Sequence, residues 1–332
     1  MTDKPLRFCQ FGAGRIGQIH AANLAGHPDA ELVSVVDVVA DAAEALAANY
    51  GAHVTTPEDA LADDTVDAVI IASSTDTHAD LIEASARAGK AIFCEKPIDL
   101  DIGRVDACLA VVAGCDVPLF VGFNRRFDPS FAALKARLDD GEIGPVEMVS
   151  ITSRDPGPPP LAYLKVSGGL FRDMMIHDLD MARWLLGEEP VQVFAFAEAL
   201  VDPAVATVGD VDTAVVVLRT ASGRLAQISN SRRAVYGYDQ RVEVLGSTGM
   251  LRAENLRPTS VEIATETSTR TDNPLHFFLE RYADAYRIEL DTFIGAVRDG
   301  RAPQPGGADG RIALRLADAL LQSRETGAPV DV

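Results

Sequence analysis

Leu6-Arg-Phe-Cys-Gln-Phe11, followed by Gly12-Ala13-Gly14-Arg15-Ile16-Gly17 and a helical run over Ile16–Ala25, is the stretch that decides how this chain folds. The apolar hexapeptide reads as a buried strand, and the Ala-rich amphipathic run after it reads as a helix. The three glycines between them allow a tight turn, close approach of a pyrophosphate, and close helix–strand packing. Phosphates on such a turn meet the positive end of the helix dipole. Asp37 stands about 20 residues past Gly17, at the end of the next apolar run, Leu32–Val36. An acid there accepts hydrogen bonds from both ribose hydroxyls and repels a 2′-phosphate, so the expected cofactor is NAD rather than NADP. Phe11, Gly12, Gly14, Arg15, Ile16, Gly17 and Asp37 are the expected dinucleotide residues. Arg15 either lies beside the pyrophosphate or reaches toward a 2′-phosphate.

Outward from this turn, the apolar runs Ala68–Ala72, Ala91–Cys94 and Leu119–Gly122 alternate with amphipathic runs at Asp41–Ala48, Ala79–Ala88 and Val105–Val112. Strand and helix in alternation imply right-handed crossovers and a parallel sheet. This predicts a doubly wound nucleotide-binding domain over residues 1–123 and a second domain over 124–332. The second domain reads as a helix near Ser130–Leu138, a strand at Val146–Arg154, and a rigid Asp155–Pro160 loop. Further strands are expected at Val191–Ala199, Thr213–Leu218, Leu225–Asn230, Arg241–Leu245 and Val261–Ala264, separated by turn signals. One helix, about Asp173–Leu186, ends at Gly187 as a C-cap, and long helices near Phe277–Arg298 and Ala308–Gln322 finish the chain. The expected fold is therefore α/β, an N-terminal Rossmann sheet with a C-terminal α+β domain on an open, largely antiparallel sheet. A sheet face left uncovered by helices invites a second subunit, so a homo-oligomer is expected.

The 332 residues are 47% hydrophobic and 24% charged, the profile of a soluble globular protein. A net charge of −19 argues against a nucleic-acid partner and disfavours a highly anionic substrate, whereas it suits a neutral polyol or sugar. Cys9, Cys94, Cys108 and Cys115 form no C-x-x-C pair, so neither a zinc site nor a redox motif is indicated; Cys9 and Cys94 read as buried thiols. No basic-then-apolar leader and no apolar run of about 18 residues is present, so a cytoplasmic protein with no membrane partner is expected.

Chemistry-bearing residues cluster at the strand ends. Ser73-Ser74-Thr75-Asp76-Thr77-His78 follows the Ala68–Ala72 strand. Loops at this end of an open α/β sheet line the ligand crevice, so Ser73, Thr75 and His78 are counted with the cofactor, while Thr77 reads as a helix N-cap. Glu95-Lys96-Pro97 closes the next strand. Lys96 there can bind a substrate hydroxyl and stabilise a developing alkoxide; Glu95 can pair with it or contact the nicotinamide ribose. In Asp173-Met-Met-Ile-His177-Asp178-Leu-Asp180, Asp173 and His177 are four apart and share a helix face. An imidazole with an ordinary pKa of about 6.5 suits proton removal, and a carboxylate beside it fixes its tautomer. A His-Asp-x-Asp cluster can also bind a divalent ion, but no second histidine or cysteine lies nearby and no metal is expected. Gly168-Gly169 just upstream permits close backbone approach to a ligand. Asn124-Arg125-Arg126, Arg154-Asp155 and Tyr236-Gly237-Tyr238-Asp239 offer the hydrogen-bonding groups a polyol needs. Trp184 and Phe277-Phe278 read as packing.

Taken together these segments resemble the Gfo/Idh/MocA oxidoreductase family. The likeness runs from the Gly12 turn through Thr75–His78, Cys94-Glu-Lys-Pro97, Gly122-Phe-Asn-Arg-Arg-Phe127, Ser167–Asp173, His177–Trp184 and Asn230-Ser-Arg-Arg233 to Tyr236–Gln240, nearly the whole chain. The resemblance implies a Rossmann domain followed by an open-sheet domain, often in tetramers. It implies that Lys96, Asp173 and His177 form the catalytic set, and that Asn124, Arg126, Asp155 and Tyr236 line a polyol site with Asp173 and His177. The activity it implies is NAD-dependent oxidation of myo-inositol, or a close stereoisomer, to an inosose. Three alternatives stay open: an NAD(P)-dependent aldose or glucoside dehydrogenase, a regulator that binds NAD without turnover, and metal-dependent hydrolysis through the His-Asp-x-Asp cluster.

Overall fold

The computed structural model describes residues 4–332, which fall into two compact units. The first holds the described residues up to Asn124 together with Ala285–Leu314; the second holds Arg125–Asp284 and Arg315–Val332.

Six parallel strands build the first unit: β1 (Leu6–Phe11), β2 (Ala30–Val36), β3 (His53–Val54), β4 (Ala68–Ile71), β5 (Ala91–Glu95) and β6 (Leu119–Gly122), in the order β3-β2-β1-β4-β5-β6. Reversal of strand order on either side of β1 is the doubly wound pattern, and it opens a crevice at the strand C-termini. The connecting helices are α1 (Arg15–Gly26), α2 (Ala40–Tyr50), α3 (Pro57–Ala62), α4 (His78–Arg87) and α5 (Ile102–Cys115). Both β3 and α3 were too short to show a periodicity. What starts α3 is chemical: Thr56 accepts from the Asp59 N–H and Pro57 occupies the first turn. Cys9, Cys94 and Cys108 are buried free thiols; burial pushes Cys9 up to about 11 and Cys108 up to about 12.

The second unit begins at α6 (Pro129–Asp139), capped by Asp128, whose carboxylate accepts from the Ser130 and Phe131 N–H groups at 3.1 Å. There follow β7 (Val146–Arg154), α7 (Leu161–Ser167), α8 (Ile176–Leu186), β8 (Pro190–Glu198), α9 (Pro203–Ala206), β9 (Thr213–Thr220), β10 (Leu225–Ser231), β11 (Asp239–Gly246), β12 (Gly249–Ala253), β13 (Glu262–Ala264), β14 (Thr269–Thr271) and α10 (Phe278–Arg281). The chain ends with α11 (Ala283–Arg298), α12 (Gly307–Thr326) and β15 (Val330–Asp331). The main sheet runs β12-β11-β7-β10-β9-β8-β15 and is mixed, with only β7 and β10 paired in parallel. α8 packs on β7 and β10. Alternate residues of β9, Ala214, Val216 and Leu218, are buried while Val215 and Val217 are exposed, so one sheet face carries the core.

Four sequence expectations need correction. The segment Ala285–Leu314, assigned to a 124–332 domain, belongs to the first unit. Phe293 of α11 packs on Phe8, Phe93 and Phe120 with ring centroids 5.7–6.3 Å apart, a long-range contact that local pattern does not show. The helix expected over Phe277–Arg298 is broken at Tyr282 (φ −112°, ψ 16°), whose buried ring lies 5.8 and 5.0 Å from the Arg125 and Arg281 guanidinium groups. The Val261–Ala264 strand is not part of the main sheet. It pairs only with β14, and every residue of that hairpin is exposed, so it has no face to bury. Finally, the helix expected from Asp173 starts as a wide π turn over Leu170–Met174, closed by Met175 N–H to the Leu170 carbonyl at 2.8 Å, and becomes α-helical at Ile176.

Candidate active site

In the first unit the glycine turn is held from beneath. Gln10, fully buried, donates through Nε2 to the Gly12 and Gly17 carbonyls, both at 2.8 Å. Gly12 has φ +103°, and a Cβ there would lie 2.3 Å from the Ala72 carbonyl oxygen, so only glycine fits between β1 and the end of β4. Beside Gly14 no atom comes within 4 Å of where a Cβ would stand. α1 begins without a side-chain cap and without an acid in its first turn, which leaves its N–H groups open to an anion. These features fit the pyrophosphate of a dinucleotide, with exposed Arg15 and half-buried Ile16 at the helix start and Phe11 buried behind.

Asp37 is half-buried and already engaged. Its Oδ2 accepts from the Ala13 N–H at 2.6 Å and its Oδ1 from the Val39 N–H at 2.8 Å. Each oxygen keeps a lone pair for a ribose hydroxyl. The acid thus shapes the turn as well as offering itself to the ribose, a double role the spacing alone did not reveal. Exposed Val38 and Val39 supply apolar surface next to it.

Ser73 Oγ lies 2.6 Å from Thr77 Oγ1, which donates to the Ser74 carbonyl at 2.7 Å. Thr77 therefore makes no capping bond to α4, contrary to expectation, and a short 3₁₀ turn over Thr75–Thr77 leads into that helix instead. His78, expected with the cofactor, is 1% exposed and committed elsewhere: Nδ1 lies 2.8 Å from the Pro97 carbonyl and Nε2 3.2 Å from the Ser73 carbonyl. It braces the β4 and β5 loops against each other. Burial holds its pKa below the ordinary histidine value. Lys96 is half-buried at the end of β5, before a cis peptide to Pro97. Glu95 turns inward, and its Oε1 lies 2.8 Å from His20 Nε2.

In the second unit, α8 turns its acids inward. Asp178 is bound by the Arg125 guanidinium and by Asn230 Nδ2 at 2.9 Å. Asp180 accepts from Arg126 Nε at 2.7 Å and lies 3.5 Å from Arg183. Both carboxylates are at most 1% exposed and taken up by arginines, which removes the metal reading of the His-Asp-x-Asp cluster. It also reassigns Arg126, expected at the polyol site: it is a buried fork on Asp180, stacked 5.7 Å from the Trp184 ring. His177, immediately before Asp178, is half-buried in the first turn of α8.

Asp173 sits in the π turn, where Tyr163 Oη donates to its Oδ1 at 3.0 Å and Arg232 approaches its Oδ2 to 3.6 Å. Arg232 is 2% exposed, and its Nε and Nη2 have no hydrogen-bond partner. Asp155 shares this guanidinium. Burial pushes its carboxyl up to about 6, against the pull of Arg232 and then Arg125. Tyr236 Oη donates to Asp239 at 2.6 Å and receives Arg154 Nη1 at 3.1 Å. Asn124, on a short turn ending the first unit, is 3% exposed. Gly169 (φ +77°) meets the Asp210 carboxylate, 2.5 Å from its would-be Cβ, rather than a ligand.

The sequence reading missed Gln10, Tyr163 and Arg232. Arg232 had a visible signal: residues 226, 228, 230 and 232 share one strand parity, and Ala226, Ile228 and Asn230 are buried. An arginine on that face is an arginine without solvent.

Residues 6–123 match the oxidoreductase family with an NAD-binding Rossmann fold, and residues 131–252 match the Gfo/Idh/MocA C-terminal domain. The chain is 58% identical over 319 residues to inositol 2-dehydrogenase of Rhizobium meliloti, covering 96% of each protein. It superposes on a myo-inositol dehydrogenase from Corynebacterium glutamicum with a TM-score of 0.94 and 47% identity over 99% of each chain. It also superposes on a scyllo-inositol dehydrogenase from Lactobacillus casei, solved with NAD(H) and scyllo-inositol, with a TM-score of 0.92 and 29% identity over 99% of each chain. The chain belongs to the Gfo/Idh/MocA family of oxidoreductases, and its cofactor is NAD.

Proposed function

We propose that the protein oxidises myo-inositol, or a close stereoisomer, to an inosose. The reading is carried by 58% identity to an inositol 2-dehydrogenase across 96% of the chain. It is supported by a set of polyol-compatible groups in the second unit, Asp155, Asp173, Tyr163 and Arg232. When bound, NAD supplies the hydride acceptor at nicotinamide C4. His177 takes the hydroxyl proton as the carbinol C–H bond breaks, its electron pair leaves as hydride, and the C=O bond forms. Lys96 donates to the same oxygen and stabilises its developing charge. Asp173, held by Tyr163 and Arg232, orients the imidazole. Asp155, Asn124 and Tyr236 offer acceptors and donors to the other ring hydroxyls.

The same reading includes a homo-oligomer, a tetramer, formed through the uncovered sheet face. Phe196, Val215, Val217, Leu225, Leu245 and Met250 are all exposed on the main sheet. Four cysteines without a disulfide suit a cytoplasmic setting.

Initial rates on myo-, scyllo- and chiro-inositol beside glucose and xylose, with NAD and NADP, test the proposal. Turnover highest on an inositol with NAD supports it. Faster oxidation of an aldose makes the protein a sugar dehydrogenase, and tight NAD binding with no turnover across the panel makes it a regulator. His177→Ala should lower kcat by about 10²- to 10⁴-fold while NAD affinity holds; unimpaired turnover removes His177 from the mechanism.

A further inference from the structure

Apart from the residues used above, the first unit buries three ionisable side chains together. His20 comes from α1, Glu289 from α11, and Glu95 from the end of β5, immediately before Lys96. Ligating atoms of the three lie within 4.8 Å of one another. His20 and Glu289 are fully buried and Glu95 is 9% exposed. Phe93 and Tyr286 meet the His20 ring edge-on at 4.9 and 5.9 Å. The Glu95 carboxyl lies over Gly122, 3.2 Å from where a Cβ would stand. Neither oxygen of Glu289 has a hydrogen-bond partner, and neither has His20 Nδ1.

Two ionised carboxylates beside a neutral imidazole would place two negative charges in this enclosure. Uncompensated buried charge is costly, so a proton or a metal ion must remove part of it. The geometry selects the proton. A tetrahedral ion with bonds of about 2.0–2.2 Å holds its donor atoms roughly 3.3–3.6 Å apart. The His20–Glu95 contact of 2.8 Å is shorter and is a hydrogen-bond distance; with Glu95 ionised, the imidazole Nε2–H is the donor. Burial first, and then the neighbouring Glu95, push the Glu289 carboxyl well above the usual carboxylate range. The ionisable groups facing it are Glu95 from β5 and His20 from α1, with Tyr286 on its own helix.

We propose that Glu289 is a buried carboxylic acid sharing its proton with Glu95, and that the His20–Glu95–Glu289 group positions Lys96 by pinning the residue before it. One rotamer step or a single bridging water would join the acid to the carboxylate, since their ligating atoms lie within 4.8 Å. Glu95 then receives two donors and carries the one negative charge. The positioning role rests on the chemistry proposed for Lys96, since a misplacement of about 1 Å can cost about 10²-fold in rate.

The test uses full-length protein with Glu289→Gln and Glu289→Leu. Gln keeps a donor toward Glu95 and removes the titratable proton; Leu removes both. Glu289→Leu should lower kcat about tenfold or more with NAD affinity within about twofold, and Glu289→Gln should recover most of that loss. The second readout needs no activity. A carboxyl raised in the folded state gives stability that is full below about pH 4.3 and is lost as pH rises through the folded value. The parent's Tm should therefore fall relative to Glu289→Gln as the pH rises above about 4.3 toward the folded value. A pH-independent difference overturns the proposal, as does a stoichiometric metal ion in the parent that Glu289→Gln loses. Retained kcat in Glu289→Leu overturns the positioning role. If the parent turned over no polyol, the functional reading would fail while the Tm comparison still decided the proton. If Glu289→Leu does not fold, the Tm comparison and Glu289→Gln carry the test.

Discussion

Arg232→Met tests the substrate half most sharply. The guanidinium is 2% exposed and 3.6 Å from Asp173, whose side chain is 14% exposed. At an effective dielectric of about 20, unit charges at that 3.6 Å separation attract by about 4.6 kcal/mol. Two effects reduce that figure. Asp173 retains some solvent, and deleting Arg232 also deletes the cost of burying a cation with two unbonded nitrogens. A net loss of about 2–3 kcal/mol remains, or about 30- to 150-fold in kcat/KM for the polyol. The pH profile gives a second signature. Burial raises the Asp155 carboxyl to about 6, and Arg232 is the largest charge opposing the rise. Without Arg232 the carboxyl moves higher. An ionised Asp155 accepts from a substrate hydroxyl more strongly than the acid form does, so the acid limb of kcat/KM should shift upward by about one unit. The loss should then be larger at pH 6 than at pH 8. Arg232→Lys keeps the charge without the planar fork and should fall between. Steady-state kinetics from pH 5 to 9, with NAD affinity and Tm as controls, decide it. A kcat/KM within threefold of the parent and an unmoved acid limb would reduce Arg232 to packing and refute the reasoning.

Three further substitutions probe the remaining parts. Gly12→Ala places a Cβ 2.3 Å from the Ala72 carbonyl at φ +103°; left-handed strain alone costs about 1–2 kcal/mol, so calorimetric NAD affinity should fall more than tenfold, and an unchanged Kd would dispose of the cradle. Asp37→Ala should lower kcat/KM with NAD about tenfold and move the NAD-to-NADP ratio toward NADP. Because it also frees the Ala13 N–H, its Tm should drop slightly, and a constant ratio would contradict the ribose role. Val217→Asp puts a charge on the exposed sheet face and should dissociate the proposed homo-oligomer in light scattering; an undisturbed oligomer mass would place the interface elsewhere, and a monomeric parent would overturn the oligomer.

How far local pattern reaches is visible in particular elements. β1, β4 and β5 read correctly because a parallel sheet covered on both faces leaves unbroken apolar runs. β9 and β10 read correctly because a half-covered sheet alternates. The return of α11 to the first unit did not, since Phe293 meets Phe8 and Phe93 across most of the chain length. The π turn at Asp173 did not either. Asp173 and His177 were placed on one α-helical face by counting four residues, and a wide turn over Leu170–Met174 changes that geometry while leaving the sequence spacing intact.

The cofactor turn was legible as a motif, yet its supports were not, because motifs specify where a ligand goes and seldom what holds the loop. Gln10 under the turn, His78 between two loops and Arg232 beneath Asp173 belong to no motif. They do obey periodicity. Glu289 lies on α11 between Tyr286 and Phe293, and His20 on α1 between Gly17 and Leu24, all of them buried. The same spacing that predicts a helix or strand also names its inward face, and a charged residue at such a position must be paired, neutralised or put to use. Asp178 and Asp180 take the first route through Arg125 and Arg126. Glu289 has a second carboxylate rather than a cation as its neighbour, so neutralisation is the route left to it. Because that neighbour is Glu95, the protonation state of one interior acid is tied to the residue that carries Lys96.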